Sequence, residues 1–197
     1  MTVTESAARR LPDGWLAPPG PVDIRRAQPA ELPAIGEMLE RAYAASYTLE
    51  SAYRDELRHL ERFAPEAEVW AAFVDGTPAG ALVVPAPGRP AHYVVDPPEP
   101  EIGFRMLGVD PAFRGRSIAR VLIEFVAALG RERGARRIGI YSAEHMLQAH
   151  GLYRRLGFVR EPWRDATVPH AEPIRLFAFV WPIDSPTATG ARREHIA

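Results

Sequence analysis

The stretch that decides the fold runs from Val109 to Arg120 and reads Val-Asp-Pro-Ala-Phe-Arg-Gly-Arg-Ser-Ile-Ala-Arg. It joins a strand pattern to the strongest helix pattern of the chain. Three small residues let backbone N–H groups approach a ligand closely: Gly115, Ser117 and Ala119. The start of a helix adds unpaired N–H donors and a partial positive charge. The stretch therefore predicts an anion site, and a diphosphate fits that geometry best.

Three arginines add formal positive charge around this turn: Arg114, Arg116 and Arg120. The turn lacks the GxGxxG pattern of dinucleotide-binding folds and the Gly-Lys-Ser/Thr of a P-loop. On spacing alone, a basic helix start with solvated arginines is an equal alternative, because clustered charges usually face solvent.

Strand and helix patterns alternate on both sides of the turn. The patterns predict strands at 22–26, 69–74, 79–84, 102–109, 137–141 and 174–181, and helices at 31–45, 51–60, 117–133 and 146–156. Residues 92–95 could add a short strand. Ser51 could cap the second helix, and Gly134 and Gly157 are natural stops for the third and fourth. The order implies an α/β fold with a mixed, mostly antiparallel central sheet flanked by helices on both faces.

Composition excludes several classes of chemistry. The 197 residues contain no Cys, which excludes disulfide scaffolds, thiolate zinc sites and cysteine nucleophiles. They contain no Lys, which excludes Schiff-base catalysis. A formal net charge of -1 gives no electrostatic case for nucleic acid or an anionic membrane. His145 and His150 stand five residues apart rather than four, so no metal site is expected.

The length favours a single domain at residues 21–183. Residues 1–20 are rich in proline and are expected to form an extended or disordered arm, and residues 184–197 a tail. No stretch reaches the roughly 18 uninterrupted apolar residues that a membrane span needs. The amino terminus does not resemble a signal peptide, so we expect a cytoplasmic protein. The sequence does not reveal the oligomeric state, and a homodimer is one option.

Two segments resemble the motifs of a known family. Residues 107–119 strongly resemble motif A of the GCN5-related N-acetyltransferases (GNAT), which reads Arg or Gln, two residues, Gly, one residue, then Gly or Ala. Residues 152–158, Leu-Tyr-Arg-Arg-Leu-Gly-Phe, resemble the end of the family's motif B helix. Ser117 stands where motif A has its central Gly, and Met146 where many members have Asn. The resemblance covers roughly 22–182 and implies the acyl-CoA N-acyltransferase fold, with acetyl-CoA as the co-substrate.

The resemblance also implies roles for individual residues. Leu107 and Val109 would present backbone groups to the pantetheine arm of acetyl-CoA, and residues 114–119 would wrap the diphosphate. Tyr153 matches the family tyrosine that protonates the leaving thiolate, although its apolar helix face also suits a core aromatic. The implied acyl-donor site comprises Leu107, Gly108, Val109, Arg114, Gly115, Arg116, Ser117, Ile118, Ala119 and Arg120.

The acceptor side needs a base, because an amine near pH 7 is mostly an ammonium ion. Strand alternation puts Glu101 and Arg105 on the same face as Leu107. Glu101 is therefore the candidate base, with a solvated strand-end carboxylate as the alternative. Arg105 could bind an anionic group of the acceptor, or form a surface ion pair. Gly108 indicates either a bulge that frees an N–H for the thioester oxygen or a packing glycine.

The segment from Tyr43 to Tyr53 corresponds to the region that covers the acceptor pocket in this family. Tyr47 and its neighbours could receive a cationic amine, or the segment could be an amphipathic helix pair with a solvated rim. We expect transfer of an acetyl group to a primary amine, on a small molecule or on a peptide or protein. The alternatives are a catalytically silent CoA-binding domain and a nucleotide-binding module.

Overall fold

The computed structural model describes residues 17–18, 20–90, 97–169 and 173–183. Most of the predicted arm, the tail at 184–197 and the strand considered at 92–95 lie outside these ranges. Within them the strands are β1 (Val22–Arg26), β2 (Ala67–Val74), β3 (Thr77–Pro85), β4 (Glu101–Gly103), β5 (Arg105–Val109), β6 (Arg137–Ala143), β7 (Val159–Arg160), β8 (Ala166–Val168) and β9 (Ile174–Pro182). The α-helices are α1 (Leu32–Ala44), α2 (Ser51–Arg58), α3 (Ile118–Glu132) and α4 (Leu147–Leu156).

The strands form two sheets. The first has the order β1-β2-β3-β5 and is antiparallel throughout, with the predicted hairpin between β2 and β3. Asp75 and Gly76 both have positive φ in its turn, as a two-residue type I′ turn requires. The second has the order β4-β6-β9, with β7 and β8 also paired to β9, and only its β4–β6 pair is parallel. The predicted mixed, mostly antiparallel architecture is confirmed.

The two sheets meet and then separate along one continuous run of chain. We predicted a single strand at 102–109, but β4 and β5 belong to different sheets, with Phe104 between them. The pairing of β4 with β6 ends at Gly103 and Gly139, whereas β6 continues to Ala143 against β9. Because β5 pairs instead with β3, the distal halves of β5 and β6 diverge. This divergence opens a wedge between the sheets.

Helices cover both faces, as predicted. On one face, α1 and α2 pack on the first sheet through a buried cluster that includes Ile35, Leu39 and Leu57. On the other, α3 and α4 share a second cluster, to which Leu122 and Leu156 belong. Burial of these apolar stripes fixes the helices against the sheets and so fixes the walls of the wedge.

The helix ends follow local chemistry with one exception. Gly134 and Gly157 have φ values of +77° and +94°, as expected for helix-terminating glycines. Gly134 follows Arg133, the C-cap of α3, and Gly157 is the C-cap of α4. The prediction that Ser51 caps α2 is wrong. Glu50 occupies that position, and Ser51 is the first helical residue.

Candidate active site

A cleft of about 650 Å³ lies in the wedge between β5 and β6. Its floor is formed by β5, and α1, α2 and α4 form its walls. The turn between β5 and α3 closes one end. The cleft therefore joins the predicted anion-binding turn to the predicted acceptor region.

The turn is shaped to hold an anion with its backbone. Asp110 accepts a hydrogen bond from the Ala112 N–H at 3.0 Å and so organises the chain before the turn. Gly115 has a φ of +75°, and nothing lies within 4 Å of the position a Cβ would take. The first backbone bond of α3 runs from the Val121 N–H to the Ser117 carbonyl. The N–H groups at 118–120 precede it and have no acceptor within the helix.

Ser117 adopts a left-handed conformation, with a φ of +58° and a ψ of +10°. This is the position where motif A has its central Gly, and glycine adopts positive φ without the steric cost that a side chain incurs. The Ser117 side chain is buried rather than solvated. The departure from the motif thus keeps the backbone shape of the turn, with a strained residue in place of glycine.

Eight of the ten residues predicted for the acyl-donor site line the cleft: Leu107, Gly108, Val109, Arg114, Gly115, Ser117, Ile118 and Ala119. The side chains of the other two are placed elsewhere. Arg116 is exposed to solvent. Arg120 is buried, and its Nε donates to the Glu124 carboxylate at 2.9 Å. The prediction that the Arg120 charge surrounds the anion is therefore wrong, because that charge is engaged along α3.

The floor of the cleft presents one edge of β5. The Asp110 N–H donates to the Ala79 carbonyl of β3. Because N–H groups alternate in direction along a regular antiparallel strand, that of Val109 faces away from β3, toward the cleft. This orientation agrees with the role predicted for Val109. Leu107 also lines the cleft, but it lies where the register between β3 and β5 shifts.

Gly108 is a packing glycine. A Cβ there would lie 2.6 Å from Leu39 Cδ2 and 3.3 Å from Ala42 Cβ, so only glycine lets α1 approach β5 this closely. The backbone irregularity lies two residues earlier, at Met106, whose φ is +56°. Of the two alternatives for Gly108, the structure therefore favours packing.

Tyr153 lines the cleft and is also part of the core. Its ring packs against Phe104, Phe158 and Phe179, with centroid distances of 6.4, 5.4 and 5.7 Å. Burial raises the pKa of its phenol well above the ordinary value. The phenol is therefore protonated at neutral pH, as an ordinary tyrosine is.

Glu101 is not in the cleft, and the prediction that it is the base is wrong. Its side chain is fully buried and accepts two hydrogen bonds from Arg164, each 2.9 Å long. Arg137 lies 3.0 Å from the same carboxylate. A Cβ on Gly139 would overlap this carboxylate, so the glycine makes room for it. The break between β4 and β5 interrupts the alternation on which the prediction relied.

Three tyrosines of the segment from Tyr43 to Tyr53 line the cleft. The Tyr43 ring lies 6.0 Å from that of Tyr47 and 5.6 Å from that of Tyr53. Burial raises the pKa of the phenol of Tyr43 and also that of Tyr47. The segment is also an amphipathic helix pair with an exposed charged rim, so the structure is compatible with both interpretations of the segment.

Arg105 also lines the cleft, as predicted, and its guanidinium carbon lies 4.1 Å from the centre of the Phe63 ring. Sequence reasoning missed Glu56, which shares this part of the cleft wall. The available signal was its spacing of three residues from Tyr53, which puts both on one helix face.

The family follows from a direct comparison. Residues 32–158 match the model of the Acetyltransferase (GNAT) family. The chain belongs to this family. No curated protein matches the sequence.

Solved structures show the same fold. A GNAT-family protein from Desulfovibrio desulfuricans aligns with a TM-score of 0.62 at 17% identity, over 82% of this chain and 99% of its own. The yncA protein of Salmonella typhimurium, solved with its cofactor acetyl-CoA, aligns at 0.55 with 19% identity, over 86% and 98%. The ribosomal-protein-S18-alanine N-acetyltransferase of Escherichia coli aligns at 0.57 with 17% identity, over 87% and 97%. These structural alignments show that the chain has the GNAT fold.

Two further observations concern the described part of the chain. None of its helices is both long and apolar enough to cross a membrane. No cluster of three or more His, Cys, Asp or Glu that could hold a metal ion occurs there either.

Proposed function

We propose that this GNAT acetyltransferase transfers the acetyl group of acetyl-CoA to a primary amine, by direct attack within a ternary complex. The observation that carries the proposal is the continuity of one cleft. It links a helix N-terminus shaped for a diphosphate to a buried phenol and a tyrosine wall. An acyl donor and an amine would meet between these ends.

The residues of the cleft fit acetyl-CoA. Gly115 leaves open space at the turn, and the N–H groups at 118–120 have no acceptor within the helix, so the diphosphate would bind there. The free edge of β5 at Leu107 and Val109 would bind the pantetheine arm. Arg114 lines the same end of the cleft and adds positive charge.

The chemistry needs two proton transfers. Acetyl-CoA supplies an activated acyl carbon: a nitrogen–carbon bond forms to the amine and the carbon–sulfur bond breaks. Tyr153 would give its phenolic proton to the departing sulfur. The amine must lose a proton, and three titratable side chains on the cleft wall could accept it, directly or through water: Glu50, Glu56 and His145.

An assay of CoA release tests the proposal. Purified protein is given acetyl-CoA with a panel of primary amines, and free thiol is measured against a reaction without amine. Amine-dependent release supports the proposal, and calorimetry with acetyl-CoA alone measures donor binding. Binding without turnover of any amine would favour the catalytically silent alternative. Ser117 and Met146, which depart from the family's pattern, are the residues that suggest this alternative. Absence of binding would contradict both.

A further inference from the structure

One corner of the cleft, where α2 faces the start of β5, holds an unusual pair of charges. We call this set the acceptor corner: Tyr53, Glu56, Phe63 and Arg105. The Arg105 guanidinium lies over the Phe63 ring at 4.1 Å. Stacking of this kind holds the plane of the cation and leaves its N–H groups at the edge free to donate. The corner therefore presents an oriented cation to the cleft.

Arg105 has no carboxylate partner in the part of the chain that the structure describes. Many other arginines there are paired, among them Arg25 with Glu31, Arg133 with Glu68 and Arg164 with Glu101. Arg105 forms no such pair, although it lines the cleft. Its five donors are therefore available to an anion that enters the cleft.

Glu56 supplies the opposite charge. It lies on the same face of α2 as Tyr53 and lines the cleft, and it forms no ion pair with any described residue. Both charges act on one phenol. Burial raises the pKa of Tyr53 to about 12, and among the smaller effects Glu56 raises it and Arg105 lowers it. A carboxylate and a guanidinium thus lie near the same phenol without binding each other.

We propose that the acceptor corner selects acceptors that carry a carboxylate beside the reactive amine, of the α-amino-acid type. The carboxylate of the acceptor binds the edge of Arg105 as a charge-assisted pair. Its ammonium lies on the side of Glu56 and the tyrosine faces, where negative charge and π-electrons favour a cation. This assignment of a substrate class rests on the proposed acetyl transfer.

Matched acceptors test the assignment. Each amine is compared with its α-carboxylated counterpart: phenethylamine with phenylalanine, and agmatine with arginine. In the wild type we expect kcat/KM to be at least about tenfold higher for the carboxylated member, the effect of one charge-assisted pair. Arg105→Gln should abolish this preference, because kcat/KM for the carboxylated member falls toward that for the plain amine. Arg62→Gln, which changes an exposed arginine paired with Asp55, should keep the preference.

Two outcomes would overturn the assignment: equal kcat/KM for both members of each pair in the wild type, or an equal loss for both members in Arg105→Gln. A second measurement separates this failure from failure of the proposed function. If no amine is turned over, the Kd values of N-acetylphenylalanine and N-acetylphenethylamine are measured on CoA-saturated protein. Tighter binding of the carboxylated product, lost in Arg105→Gln, would support the acceptor corner, and equal binding would refute it.

Discussion

Arg114 donates a hydrogen bond from its guanidinium to the backbone carbonyl of Ala42, at 2.5 Å. The bond joins the turn at one end of the cleft to the last part of α1. A second tie runs parallel to it, since Arg41 pairs with Asp110 at 3.1 Å. The helix that carries Tyr43 and the turn proposed for the diphosphate are therefore held together.

Replacing Arg114 tests this link. We expect Arg114→Ala to weaken acetyl-CoA binding roughly tenfold, because it removes a charge-assisted hydrogen bond and a positive charge beside the anion site. Arg114→Gln, the other residue that motif A accepts, should retain more of the affinity. Calorimetric Kd values measure both effects. Unchanged affinity in Arg114→Ala would show that the side chain does not support the turn.

Gly115 in the turn and Gly134 beyond the end of α3 allow a controlled test of the anion site. Gly115 and Gly134 have φ values of +75° and +77°, and neither has an atom within 4 Å of a new Cβ. Alanine should cost each position about 1 kcal/mol of stability through backbone strain alone. Only Gly115→Ala should also weaken acetyl-CoA binding, since Gly134 lies at the far end of α3. Urea unfolding and calorimetry separate the two effects, and equal Kd values in the two variants would contradict the assignment of the turn.

At Ser117 the informative substitution introduces a glycine instead of removing one. Ser117→Gly relieves a left-handed conformation and restores the motif, so we expect tighter binding of acetyl-CoA and no loss of stability. The gain in unfolding free energy should stay below about 1 kcal/mol, because glycine also gains entropy in the unfolded chain. A weaker complex would indicate that the serine side chain itself contributes to binding.

Tyr153→Phe should lower kcat by about 10²-fold or more, the usual contribution of a positioned acid, and should leave the Kd of acetyl-CoA nearly unchanged. Burial raises the pKa of this phenol, so its protonated form persists beyond the ordinary tyrosine pKa of about 10. The wild-type kcat should accordingly show no alkaline fall from this group below pH 10. Steady-state rates across pH measure the kcat of the variant and the alkaline limb of the wild-type profile. An unchanged kcat in Tyr153→Phe would remove Tyr153 from the mechanism.

Glu101 should behave as a structural residue. Glu101→Gln leaves Arg164 and Arg137 buried with an incomplete partner, so we expect a loss of about 3 kcal/mol in unfolding free energy. Asp55→Asn, which breaks an exposed pair with Arg62, should change stability little. The acidic limb of the pH–rate profile should stay in place in Glu101→Gln. A shift of that limb would return Glu101 to the candidate bases.

The sequence was informative where the signal is local. The turn at 114–119 could be predicted because glycine, small residues and a helix start act over six neighbouring positions. The hairpin at Asp75–Pro78 and the helix ends at Gly134 and Gly157 followed from turn chemistry in the same way.

The errors arose where distant parts of the chain decide the outcome. Alternation along 101–107 was assumed to be continuous, but the positive φ of Met106 and the change of sheet at Phe104 break it. Neither residue type indicates such a break. The glycine at position 108 did indicate a special position in the strand. The reason for the glycine is the close approach of α1 rather than a bulge at Gly108 itself. β7 and β8 are only two and three residues long, too short for a period-2 pattern to be recognised.

The most direct test of the central claim is a crystal structure of the protein with acetyl-CoA. The account predicts the diphosphate within hydrogen-bond distance of the main-chain N–H groups between Gly115 and Arg120, and the thioester in the wedge between β5 and β6, facing Tyr153. A diphosphate bound elsewhere, or a wedge closed by side chains while the ligand is present at saturating concentration, would contradict it.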